Sequence, residues 1–192
     1  MTVLVCVASR HGATAEIAET IGRVLRERGI PVDVRAAEQV TMVDGYDAVI
    51  LGSAVYAGHW LEAAKRIAHT QAVALSGRPV WLFSSGPVGN PPKPAGDPVD
   101  VAALVPATGA RDHRVFAGRI DKHRLGFAEK AMVLALHVPT GDFRDWRAVV
   151  AWAGEIADTL DASPTAPATT EAGIPPASTA SRSAHGAQGA ST

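Results

Sequence analysis

The sequence predicts an α/β domain built on an open parallel sheet, and three observations carry that prediction. Residues 3–8, 46–52 and 80–85 are apolar at nearly every position instead of at every second one, the pattern of strands covered on both faces. Each run gives way at once to a small, polar or glycine-containing loop. After the loops at 9–14 and 53–59 the apolar spacing changes to that of a helix, as at Ile17, Ile21 and Leu25. Strands alternating with helices assemble in parallel, because right-handed crossovers place the helices on the two faces of the sheet.

The elements follow in order. After the first strand and its helix, Gly29 offers a C′ residue, and residues 30–34 make a second short strand. Residues 36–45 form a polar connection to the third strand, YDAVILG at 46–52. The next helix sets Leu61, Ala64, Ile67 and Ala68 on one face. The fourth strand, VWLFSS at 80–85, opens into a loop rich in Pro and Gly at 86–97, followed by a short helix at 98–106 and a fifth strand at 114–120. A segment at 121–140 is inserted before the last helix. That helix begins after Gly141, with Asp142 as its cap and Asp145 in the capping-box position. Trp146, Val149, Val150, Ala153, Ile156, Ala157 and Leu160 trace its apolar face.

A chain of 192 residues with 47% hydrophobic side chains fills one core. The domain is expected to span residues 1–160. From Asp161 onward Ala, Ser, Thr, Pro and Gly dominate and Ile174 is the one large aliphatic residue, so 161–192 is expected to be a disordered tail. That tail holds Arg182, Asp161 and Glu171; without it the 18 basic and 19 acidic residues balance, and no nucleic-acid partner is implied. The single cysteine, Cys6, lies inside the first strand and leaves no disulfide framework. Neither a signal peptide nor a membrane-spanning run is recognisable, which predicts a cytoplasmic protein. No metal-ligand or Ser-His-Asp spacing is present, no metal is expected, and the residues name no catalytic group.

Function is expected at the carboxyl ends of the strands, where open parallel sheets bind ligands. Three loops lie there: 9–14, 53–59 and 84–97. The first joins a strand to a helix, so its backbone presents unpaired amide hydrogens at the positive end of the helix dipole, a site for an anion. Ser9 and Thr14 add hydroxyl donors, Gly12 permits close approach or positive φ, and Arg10 and His11 supply cationic partners for a phosphate. The pattern is Ser-x-His-Gly-x-Thr, which matches neither the Walker loop nor the dinucleotide G-x-G-x-x-G.

This loop resembles the phosphate loop of flavodoxins, with His11 where a hydroxyl residue is usual. The resemblance covers residues 1–160 in element order and implies the flavodoxin-like α/β fold: five parallel strands in the order 2-1-3-4-5 with helices on both faces. It implies FMN as cofactor, its phosphate on Ser9, Arg10, His11, Gly12, Ala13 and Thr14. The isoalloxazine ring then lies between Ser53, Ala54, Val55, Tyr56, Ala57 and Gly58 on one side and Ser84, Ser85, Gly86, Pro87, Val88 and Gly89 on the other. Two segments, Gly52-Ser-Ala-Val-Tyr-Ala-Gly-His59 and Gly141-Asp-Phe-Arg-Asp-Trp146, resemble the menaquinone-dependent protoporphyrinogen oxidase branch. That branch implies an enzyme of haem biosynthesis passing electrons from a reduced organic substrate to a quinone. A one-electron carrier and a flavin-free interaction domain remain the alternatives.

Individual residues refine the expectation. Tyr56 is the aromatic of the second loop and is suited to stack on a flavin face. The third loop has no aromatic between Ser84 and Asp97, which leaves that face open for a substrate. It also lacks an acid before Asp97 and carries Lys93, so it favours two-electron reduction. His59 is either a proton donor near the flavin or the start of a helix. The insertion surrounds the apolar run Ala131-Met-Val-Leu-Ala-Leu136 with Lys122, His123, Arg124 and Lys130, so residues 122–136 are either a peripheral contact at the inner membrane face or a helix packed over the sheet.

Overall fold

The computed structural model describes residues 1–162 except 90, 92, 94, 122, 136 and 137, with the backbone alone at 128, 129 and 132. The chain runs β1 (Val3–Ala8), α1 (Ala13–Glu27), β2 (Val32–Ala36), a 3-10 turn (Ala37–Gln39), β3 (Ala48–Tyr56), β4 (His59–Trp60) and α2 (Glu62–Thr70). It continues through α3 (Ala72–Ser76), β5 (Val80–Ser85), α4 (Val101–Thr108), β6 (Asp112–Phe116), β7 (Arg119–Ile120), α5 (Phe127–Ala135), β8 (Gly141–Asp142) and α6 (Trp146–Asp161). The expected tail at 161–192 lies, from residue 163 on, outside the described residues, as do Lys122 and Leu136 of the insertion.

The sheet has the order β2-β1-β3-β5-β6, with the five strands parallel. This is the expected order 2-1-3-4-5; the two-residue β4, folded back antiparallel on β3, takes one number in the series. Strand order reverses at β1, between β2 and β3. In register, Ala8 pairs with Ser53 and Ser53 with Ser84, so the loops after β1, β3 and β5 leave the sheet at one level.

Burial on both faces explains the uninterrupted apolar runs. Val3, Val5, Val7, Ile50, Trp81 and Phe83 pack against Ile17, Ile21 and Leu25 of α1 and Trp152, Ile156 and Leu160 of α6. Leu4, Cys6, Ala8, Leu51 and Leu82 pack against Ile67 of α2, Leu75 of α3 and Leu104 of α4. Burial pushes the Cys6 thiol up to about 12, which leaves it inert. Gly52 is required within this packing: a side-chain carbon there would lie 2.0 Å from the Phe83 ring.

Several boundaries depart from expectation. β2 begins at Val32 and not at residue 30, because Ile30 completes the cap of α1. β3 runs on to Tyr56, so Ser53–Tyr56 are strand and not loop, and His59 pairs with Tyr56 instead of opening a helix. The fifth strand ends at Phe116, and Arg119–Ile120 leaves the sheet to pair with Gly141–Asp142. The cap of α6 is Asp145, whose side chain accepts from Arg147 N at 2.9 Å and Ala148 N at 3.1 Å. Asp142 is instead engaged by Arg144. Trp146 and Val150 are exposed on α6, and Trp152 takes the place in the core.

Candidate functional site

The first loop turns on Gly12, which adopts φ 86° as the N-cap of α1, a left-handed conformation that costs glycine little. The first helical hydrogen bond runs from Glu16 N to Gly12 O at 3.0 Å, so the amides of residues 13–15 precede it and face the loop. Thr14 is buried in the first turn, and Ser9 and His11 are half-buried. The guanidinium of Arg10, expected on a phosphate, lies over the Tyr56 ring at 5.5 Å from its centre. His11 meets the same ring edge-on at 6.4 Å. The first and second loops are thereby joined through Tyr56, which keeps 38% of its surface exposed.

The second loop is a two-residue hairpin turn. Ala57 and Gly58 have φ of 50° and 85°, the left-handed pair that matches the twist of β3 and β4. Ala57 is strained there, since a Cβ disfavours that region. Ser53 Oγ donates to Ala54 O at 2.8 Å and accepts from Leu61 N at 2.9 Å, fixing the start of α2. Ala54 is buried and Val55 half-buried.

The third loop is held close beneath these. A side-chain carbon on Gly86 would fall 2.8 Å from Val55 Cβ, so only glycine brings the two strands' ends together there. Pro87 O accepts from Gly118 N at 2.7 Å, Val88 and Lys93 exchange backbone hydrogen bonds at 3.0 and 2.9 Å, and Gly89 turns at φ 94°. Ser84 and Ser85 are buried.

A polar circuit invisible in the sequence ties the second and third loops together. Trp60 Nε1 donates to Ser84 Oγ at 2.7 Å, and Ser84 Oγ lies 2.8 Å from His113 Nε2. His113 Nδ1 lies 3.3 Å from Asp97 Oδ1. Indole nitrogen only donates, so the Ser84 oxygen accepts from Trp60; the Asp97 carboxylate only accepts, which places the proton of the neutral His113 ring on Nδ1 and leaves Nε2 to accept from the Ser84 hydroxyl. Ser84 is fully buried with its oxygen taken up by Trp60, and it serves as the link of this circuit. Burial holds His113 below its ordinary pKa against the opposing charges of Asp97 and Asp112. The circuit closes through Val99 N to Gly58 O at 2.9 Å and Trp60 N to Asp100 Oδ2 at 2.7 Å. His59 joins it, with Nδ1 3.3 Å from the Asp100 carboxylate. Burial by itself would raise Asp100, but the hydrogen bonds from Trp60 N and His59 outweigh it and hold the carboxyl below its usual range.

The two flanks of the insertion are bolted to the first turn of α1. Arg119 grips Glu16 with two hydrogen bonds of 3.0 and 2.8 Å. Arg144, its side chain 2% exposed, donates to Glu16 Oε2 at 2.9 Å, to Ala13 O at 3.0 Å and to both oxygens of Asp142. Burial would raise Glu16, yet these hydrogen bonds hold it below the usual range. From the insertion itself Arg124 Nη1 donates to His11 O at 3.0 Å. Glu16, Arg119, Arg124 and Arg144 were not singled out for the site by sequence. Separations of up to 128 residues leave no periodic or motif signal.

The expected FMN fits this donor set. Free first-turn amides and a positive-φ glycine form a cradle for a phosphate, and Tyr56 stands exposed beside it, against Arg10 and His11 of the same loop. Among the described residues, no group of three His, Cys, Asp or Glu could hold a metal ion.

Comparison with known proteins agrees with this geometry. The flavodoxin domain family matches residues 4–146. The protoporphyrinogen IX dehydrogenase [quinone] of Escherichia coli strain K12 is 26% identical over 176 residues, covering 84% of this chain and 97% of that protein. An archaeal flavodoxin superposes with a TM-score of 0.58 at 16% identity, covering 84% of this chain and 99% of its own. Oxidised flavodoxin 1 of Bacillus cereus gives 0.56 at 15%, covering 82% and 98%. Fold, loop placement and family match agree: the chain belongs to the flavodoxin domain family.

Proposed function

We propose that this protein binds FMN and acts as an oxidoreductase, taking two electrons with their protons from a reduced organic substrate and delivering them to a quinone, which leaves as the quinol. The observation that carries the reading is the convergence of three loops at the carboxyl ends of β1, β3 and β5, the first of them a helix N-terminus with its leading amides outside the helical ladder and the exposed Tyr56 beside it. FMN supplies the redox chemistry. The chain's residues hold the phosphate at 9–14, place Tyr56 beside the ring and leave the opposite side without an aromatic, which gives a flat substrate access. With Asp97 tied to His113 and Lys93 the charged residue of the preceding loop, negative charge on the reduced ring meets little repulsion.

Protoporphyrinogen is the substrate supported by the likeness to the Escherichia coli quinone-dependent dehydrogenase. We place the protein in the cytoplasm, with peripheral contact at the inner membrane face through α5. Phe127 and Leu134 are 92% and 77% exposed there, with Lys130 exposed between them at helical spacing.

The test is an anaerobic reductive titration of the purified protein, read by its visible spectrum and followed by substrate and quinone assays. A flavin that passes from oxidised to fully reduced without a stable one-electron stage, and is then reoxidised by a quinone, is the expected result. A stable one-electron stage with a low second potential would assign the protein as a carrier. A colourless protein that fails to take up added FMN would make it an interaction domain.

A further inference from the structure

We propose that Arg124, carried by the insertion, is a phosphate-binding residue that closes over the first loop. The inference rests on the FMN reading and adds to it a residue outside the loop that the family pattern marks. Three observations carry it.

The first is position. Arg124 Nη1 donates to His11 O at 3.0 Å, and a side-chain carbon on Gly12 would come within 2.9 Å of the same nitrogen. The guanidinium thus overhangs the glycine at the entrance to the cradle, with its Nε 3.8 Å from Asp121 Oδ2. An arginine presents five donors in a planar fork, so one N–H committed to a carbonyl leaves others for phosphate oxygens.

The second is the charge of the cradle. A phosphate monoester carries about −1.5 to −2 at neutral pH. Arg10, the arginine of the loop itself, is laid over Tyr56. Arg124 supplies the positive charge from the other side.

The third is anchorage. The insertion is fixed to the start of α1 by Glu16, which accepts from both Arg119 and Arg144, and by Arg144 on Ala13 O. These bonds fall on the same turn whose amides form the cradle. Arg124 is therefore delivered by a segment already docked at the phosphate site.

FMN and riboflavin differ only in the phosphate, and their binding to the apoprotein separates the possibilities. Flavin fluorescence quenching is measured for the wild type, Arg124→Gln and Arg124→Lys, with circular dichroism as the check on folding. Arg124→Gln is expected to weaken FMN binding by about tenfold or more, as for loss of a charge-assisted hydrogen bond. Riboflavin affinity should be unchanged, the salt dependence of FMN binding should flatten, and Arg124→Lys should fall between, since it keeps the charge without the fork. Equal weakening toward both flavins, or unchanged FMN affinity, would overturn the role of Arg124. A folded wild type that binds neither flavin, or both equally, would instead remove the FMN reading beneath it.

Discussion

His113 shows how one buried side chain gives the site a dependence on pH. Its ring is held neutral by burial, with Ser84 and Asp97 on its two nitrogens and Asp112 adjacent in the strand. Because its folded pKa lies below the ordinary 6.5, the unfolded chain binds a proton between those two values and the folded chain does not. Stability therefore rises with pH across that window; the contribution is present above 6.5 and is lost as pH falls toward the folded value. His113→Asn should flatten this part of the stability curve, measured by urea unfolding between pH 5 and about 7.5. Ser84→Ala is the harsher change, leaving the Trp60 N–H and the His113 acceptor without their partner, at a cost of about 1–3 kcal/mol. At this scale the sequence named Ser9, Gly12, Thr14 and Tyr56 as candidates but not His113, whose partners Ser84 and Asp97 lie 29 and 16 residues away on other elements.

The elements were legible wherever their signals are local. The end of α1 is the clearest case. Gly29 takes φ 78°, its amide bonds Arg26 O at 2.9 Å, and Ile30 N bonds Leu25 O at 3.0 Å, with both of those apolar side chains buried. Gly29→Ala places a Cβ in the left-handed region and should lower stability by about 1 kcal/mol, read as a shift in the urea midpoint without change of slope. Helix α6 shows the opposite case. Two aspartates three residues apart fit the capping pattern equally in one dimension, and the choice of Asp145 follows from Arg144 claiming Asp142. Likewise β3 outran its expected end because Trp60 folds back to pair with Val55.

Across the whole molecule the sheet fixes what meets what. Parallel strands in register bring three loops to one level, and the β7–β8 ribbon carries the insertion across to α1. Among the described residues no helix is long and apolar enough to cross a membrane; the peripheral contact proposed above uses the exposed face of α5. Sedimentation with vesicles containing anionic lipid should carry the protein down, and Leu134→Glu together with Phe127→Glu should leave it in solution. Flavin uptake by that double variant should match the wild type, because neither side chain belongs to the three loops.

The sequence by itself determined the α/β class and the strand order implied by the family likeness, and it named the turn at 9–14 and the stretches after β3 and β5 as the candidate site. Each is written in a stretch of a few residues, where apolar runs, helical spacing and glycine placement act locally. Only the tertiary structure decided that Arg10 turns to Tyr56, that Trp60, Ser84, His113 and Asp97 form one circuit, and that Arg119, Arg124 and Arg144 converge on the start of α1. Such pairings depend on which side chains the crossovers bring within hydrogen-bond reach, and an arginine's spacing along the chain carries no record of the carboxylate it will meet.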